Sequence, residues 1–125
     1  TTSADVDAHL AAALGDLAAH VEITALQQAD PTASPIGNPL WSALSRGAQA
    51  AFPDAELIPG LIVGGTDARF FRANGTIAYG AGLFTPAVTL ESFGTRFHGN
   101  DERIDVESLG LAATFWGDIA RDLLS

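Results

Sequence analysis

The chain has 125 residues, 47% of them hydrophobic and 17% charged, and carries a formal net charge of −9. These proportions place it among folded globular chains, and the acidic balance argues against a nucleic-acid partner, which requires clustered cations. There is no cysteine, so disulfides and thiolate metal sites are excluded and any metal must be held by histidine and carboxylate.

Every cation is an arginine, and no basic run is present to hold a membrane surface. No apolar stretch approaches the roughly 20 residues that span a bilayer, and no signal peptide opens the chain. The expected location is cytoplasmic, with neither nucleic acid nor membrane as partner. The chain starts Thr1-Thr2-Ser3 and holds no methionine, which leads us to expect a processed or partial product.

Ser3 is a candidate N-cap, with Asp5 and Asp7 in the first turn where the helix dipole favours acids. Val6, Leu10, Ala13, Leu14 and Leu17 then recur at helical spacing, with Gly15 tolerated inside at a cost of about 1 kcal/mol. His20–Leu26 alternates apolar and polar and predicts a half-buried strand. Gln27–Asn38 is polar, punctuated by Pro31, Pro35 and Gly37, and predicts a linker. Asn38-Pro39 is a helix start, with Leu40, Trp41, Leu44, Ala48, Ala51 and Phe52 as the buried stripe and Pro53 as the stop.

Leu57–Val63 predicts a short strand interrupted at Pro59 and Gly60. Gly64-Gly65-Thr66 leads into a helix over Asp67–Ala73 that Asn74-Gly75 stops, and Thr76–Gly80 predicts another strand. Ala81–Asn100 is irregular, and a loop that long in a compact domain is usually functional. Asp105 is the candidate N-cap of a last helix, with Ile104 and Leu109 spaced as a hydrophobic staple. Its buried side is predicted as Leu109, Ala112, Ala113, Trp116, Ile119, Ala120 and Leu123. Helices and strands alternate, so the expected class is α/β.

Three features rise above scaffold. In Gly64-Gly65-Thr66-Asp67-Ala68-Arg69, the glycines allow close approach to a ligand, Thr66 caps the helix, and Arg69 offers a planar fork to a carboxylate. The bland alternative is a strand-to-helix turn with Arg69 in a surface ion pair. In Phe97-His98-Gly99-Asn100-Asp101-Glu102-Arg103, His98 is placed for a metal or for proton transfer, and Asp101 and Glu102 could orient it. Against this stands a plain loop histidine followed by acids before a helix. His9 and His20 read as structural. A catalytic zinc site needs about three protein ligands, and no H-x-D, H-E-x-x-H or paired-glutamate motif is present.

Taken together, Pro59, the run Gly64–Arg72, Tyr79-Gly80 and His98–Ile104 resemble the end of the co-catalytic zinc metallopeptidase family that contains aminoacylase, glutamate carboxypeptidase, succinyl-diaminopimelate desuccinylase and carboxypeptidase S. The resemblance covers nearly the whole chain. It implies that residues 39–125 are the C-terminal part of an α/β/α catalytic domain. Residues 1–28 are then a helix-strand remnant of an inserted α+β lid that often mediates dimerisation, with 29–38 as linker. It further implies that His98 is the final zinc ligand and that Arg69, with Gly65 and Thr66 alongside, grips the free carboxylate of an N-acyl amino acid or peptide.

The intact parent enzyme is expected to hold two zinc ions, with the catalytic base and other ligands upstream. The site in this chain is therefore incomplete, and the chain by itself is expected to be inactive. Its expected partners are the missing N-terminal part of the enzyme and, through homo-oligomerisation, further copies of itself. The alternative is a non-enzymatic domain that binds carboxylates through Arg69 or associates with itself.

Overall fold

Caps set most of the local structure. In the computed structural model, which describes residues 1–26 and 29–125, Thr2 rather than Ser3 opens the first helix, α1 (Ser3–Leu14). The shift by one residue follows from reciprocity: Asp5 N–H donates to Thr2 Oγ1 at 3.3 Å while Thr2 N–H donates to Asp5 Oδ2 at 2.7 Å. This capping box satisfies two helix-end donors at once. Gly15 does not continue the helix; its φ of 52° ends α1, and a 3₁₀ turn covers Gly15–His20. None of α1 or of that turn is buried, so the apolar face from Val6 to Leu17 is not a core here.

The chain divides into two units, Thr1–Ala33 and Ser34–Ser125. In the first, Ser3 N–H and Oγ–H both donate to Asp30 Oδ1 at 3.0 Å. Those bonds hold the Asp30 carboxyl below its usual range. The expected boundary at residue 28 and the opening of the linker at Gln27 fall outside the described residues.

The second unit is built on two helices. In α2 (Pro39–Ala51), Asn38 Oδ1 accepts from Trp41 N–H at 3.0 Å and Pro39 sits at the first helical position. The Asn38 amide also donates to Pro35 O at 2.6 Å and to the Tyr79 hydroxyl at 2.5 Å. Trp41 meets the Tyr79 ring edge-on at 5.5 Å between centroids. Two short helices follow, α3 (Ala68–Ala73) and α4 (Leu90–Gly94), and then the long α5 (Val106–Leu124).

The core forms where α2 meets α5: Ala43, Leu44 and Ala48 pack with Phe115 and Ile119. Leu40, Leu57, Tyr79, Ala81 and Leu83 close around them. Gly47 permits the approach, since a Cβ there would stand 3.0 Å from two carbons of the Phe115 ring. This contact selects the buried face of α5, which is Ser108, Phe115 and Ile119. Of the predicted stripe only Ile119 is buried, and Leu109, Trp116 and Leu123 are exposed. α5 carries two apolar stripes, and the structure buries the one that meets Gly47.

The α/β expectation is overturned: the described residues form helices and no strand. Apart from His20, which ends the 3₁₀ turn, the segments predicted as strands at His20–Leu26, Leu57–Val63 and Thr76–Gly80 are in neither helix nor sheet. An extended segment becomes a strand only when another backbone takes up its N–H and C=O groups. Around Thr76–Thr85 that role falls to side chains instead. Ala78 N–H donates to Ser34 Oγ at 3.0 Å, Ala78 O accepts from Arg72 at 2.8 and 3.0 Å, and Thr85 N–H donates to the buried Ser108 Oγ at 3.0 Å. Among the described residues no helix is long and apolar enough to cross a membrane.

Candidate functional site

Arg69 lies in the first turn of α3, half-buried, with its guanidinium carbon 4.7 Å from the centroid of the Phe70 ring. A guanidinium over an aromatic face is attracted by the ring's negative face. Thr66 precedes the helix. Its carbonyl accepts from Arg69 N–H at 3.2 Å, and its hydroxyl accepts from Ala68 N–H at a long 3.4 Å. The N-cap position itself is Asp67, whose side chain makes no capping bond, so the expected Thr66 cap is loose.

Neither Gly64 nor Gly65 has positive φ, and nothing lies within 4 Å of where a Gly65 Cβ would stand. The backbone of this structure therefore does not require glycine at 65, and the position is open. Arg72, one turn on, has a structural task. Its Nε and Nη2 donate to Ala78 O and tie α3 to the extended segment after it. Gly75, at φ 79°, ends α3 as expected from Asn74-Gly75.

His98 lies in the loop between α4 and α5, exposed, with a left-handed backbone at φ 58°. Asp101 is left-handed too, at φ 62°. For a residue with a side chain this conformation costs roughly 1–2 kcal/mol, so the loop must be held. Glu102 holds it from within: its carboxylate accepts from His98 N–H. Glu102 thus acts on the His98 backbone, where the sequence led us to expect an orienting role toward the imidazole. Asp101 enters through its carbonyl, which accepts from Arg103 Nη1 at 3.0 Å.

The loop's ends are fastened as well. Arg103 N–H donates to Arg96 O at 3.4 Å, and Arg96 Nη1 pairs with Asp105 Oδ2 at 3.1 Å. Phe84, Phe93 and Phe97 cluster beside it, with centroids 4.7 Å apart for Phe93–Phe97 and 5.0 Å for Phe84–Phe93. Sequence reasoning missed Arg96 and this cluster. The available signals were the four-residue spacing of Phe93 and Phe97 and the opposite charges of Arg96 and Asp105 on either side of the loop.

Asp105 caps α5 by accepting from Ser108 N–H at 2.7 Å. Its carboxyl is held below the usual range, first by that backbone bond, then by the Ser108 hydroxyl, with Arg96 adding to it. A depressed folded-state value stabilises the fold above the ordinary carboxylate value of about 3.9, and the stabilisation is lost as pH falls through the folded value. Thermal melting followed below about pH 4 is therefore expected to show a shallower acid-induced drop in Asp105→Asn than in the parent chain. Coincident acid slopes would remove the capping carboxylate from the set of coupled groups.

His98 does not sit among further metal donors. Among the described residues there is no group of three or more His, Asp or Glu able to hold a metal ion. The buried side-chain atom without a partner in this unit is Arg96 Nε, a donor, which cannot ligate a cation. The described residues therefore do not fit a metal site of their own, and His98 amounts to one imidazole. His9 and His20 are exposed on α1 and on the 3₁₀ turn. The groove between α2 and α5, lined by Gly47, Ala51, Pro86, Gly110 and Thr114 among others, includes neither Arg69 nor His98.

The model of one protein family, peptidase family M20/M25/M40, matches residues 3–122. The chain belongs to that family. The match takes in both motifs, and membership gives the M20/M25/M40 chain a peptidase, hence hydrolase, role. No curated protein and no solved structure matches it.

Proposed function

We propose that this chain serves a metal-dependent hydrolase that cleaves the amide bond of an N-acyl amino acid or peptide next to a free carboxylate. The observation that carries the reading is Arg69, half-buried with its guanidinium carbon over the Phe70 ring at the start of α3, within the matched M20/M25/M40 region. A guanidinium is a planar fork of N–H donors, and two parallel donors match the two oxygens of a carboxylate. The open position at Gly65 lets the substrate run beside the backbone, and Thr66 supplies a hydroxyl there.

His98 is the single imidazole that this chain lends to the metal centre. A nitrogen and carboxylate donor set without thiolate suits zinc. The remaining ligands and the general base are supplied by residues outside this chain. What its own residues do is bind and orient: Arg69 anchors the carboxylate, and the anchored end sets which amide is presented.

The test is a matched pair of substrates given to the complete enzyme, an N-acetyl amino acid and its C-terminal amide. The free acid is expected to be cleaved and the amide to be cleaved far more slowly. Equal rates on the two overturn the carboxylate anchor, and cleavage of neither, with zinc supplied, overturns the hydrolase reading for these substrates.

A further inference from the structure

We infer that Glu102 is a positioning residue that locks the His98 backbone in its left-handed conformation, so that the Cα–Cβ bond carrying the imidazole leaves the loop in one fixed direction. The inference rests on the reading of His98 as the imidazole this chain contributes. Its physical basis is separate.

A histidine at φ 58° is a conformation that an L-residue leaves unless something holds it. Candidate restraints on the loop fall into two groups. The outer group acts at its ends: Arg96 with Asp105, Arg103 N–H with Arg96 O, and the Phe84, Phe93 and Phe97 rings. These close the loop but touch neither the His98 amide nor its carbonyl. Inside the loop, Arg103 Nη1 donates to Asp101 O, and the bond made by the His98 backbone itself runs from His98 N–H to the Glu102 carboxylate. It spans four residues and closes a ring over both left-handed positions, His98 and Asp101.

The geometry also explains why the acid is at 102. With His98 and Asp101 both left-handed, the chain doubles back. A side chain that follows the second turn then returns to the amide that opens the first. A carboxylate is well suited to the task, because a bond from an amide to an ionised acceptor is stronger than one to a neutral acceptor. Fixing the backbone of a ligating or proton-transferring residue keeps its side chain within the narrow range of directions that a site tolerates.

The test is amide hydrogen exchange on the 125-residue chain, comparing the parent with Glu102→Ala and Glu102→Gln. In Glu102→Ala the His98 amide is expected to exchange faster by on the order of tenfold, the effect of losing a bond to a charged acceptor. In Glu102→Gln, which keeps an acceptor oxygen at the same reach, most of the protection is expected to return. The amides of Leu44 and Phe115 in the core are expected to stay as they are in both variants.

An unchanged His98 amide in Glu102→Ala overturns the inference. So does a gain in exchange that spreads equally to Leu44 and Phe115, since Glu102 would then act on global stability. Failure of glutamine to rescue also overturns it. The readout is a backbone amide and needs neither metal nor substrate. Its outcome is thus independent of the paired-substrate assay, which can fail while the lock holds.

Discussion

Arg69→Ala is expected to raise KM for free-acid substrates about a hundredfold in the complete enzyme, with kcat little changed. Two charge-assisted hydrogen bonds contribute about 1.5–3 kcal/mol each when sheltered. Arg69 is half-buried, so the lower end applies, and the pair is worth about 3 kcal/mol, or about a hundredfold in affinity. An anchor remote from the scissile bond grips ground state and transition state alike, which places its loss in KM. The amide substrate, which has no carboxylate to lose, is expected to be unaffected.

Arg69→Lys is expected to recover only part of the loss, because an ammonium keeps the charge but not the planar fork. Arg72→Ala is the control. Its fork holds Ala78 O, so its removal is expected to lower the melting temperature. Folding damage and lost anchoring are thereby separated within one helix. If Arg69→Ala binds the free acid as tightly as the parent does, or loses acid and amide equally, the anchor lies elsewhere.

What could be read from the sequence was what local chemistry decides. Asn38-Pro39 and Asp105 announced the starts of α2 and α5 because a cap is a contact among residues three apart. Asn74-Gly75 announced the end of α3 for the same reason. The strands were not readable. Alternation such as that of Val21, Ile23 and Ala25 reports which side chains could share a face, whereas a strand needs a neighbouring backbone. Here the backbone groups of Ala78 and Thr85 are taken up by Ser34, Arg72 and Ser108 side chains, pairings that no periodicity encodes.

The buried face of α5 was hidden for a different reason. Leu109, Trp116 and Leu123 make as regular a stripe as the one that is buried, and the room for Phe115 depends on the lack of a side chain at Gly47, on another helix. The candidate site divides along the same line. Arg69 and His98 stood out by residue type and neighbours. The aromatic support under the Arg69 guanidinium, the carboxylate on the His98 amide and the Arg96–Asp105 fastening depend on where the backbone turns.

The contact between α2 and α5 makes the second large prediction. Leu44 is 1% exposed and sits at the centre of the core of the second unit. Leu44→Ala removes the transfer energy of a buried side chain and leaves a cavity, at a cost of about 3 kcal/mol within the usual span of 2–5. For a domain of this size each kcal/mol lowers the melting temperature by about 4–8 °C, so a drop of roughly 12–24 °C is expected.

The same contact can be stressed in the opposite sense. Gly47→Ala gains about 1 kcal/mol of helix propensity. It also drives a methyl group to 3.0 Å from the Phe115 ring, which is 4% exposed and has little room to retreat. Overpacking of that kind costs roughly 1–3 kcal/mol, so a smaller net loss is expected there. Leu109→Ala, on the exposed stripe of α5, is expected to change stability by well under 1 kcal/mol in this chain. Should Leu109→Ala cost as much as Leu44→Ala, the buried face of α5 would be the other stripe, and Gly47 would have no part in choosing it.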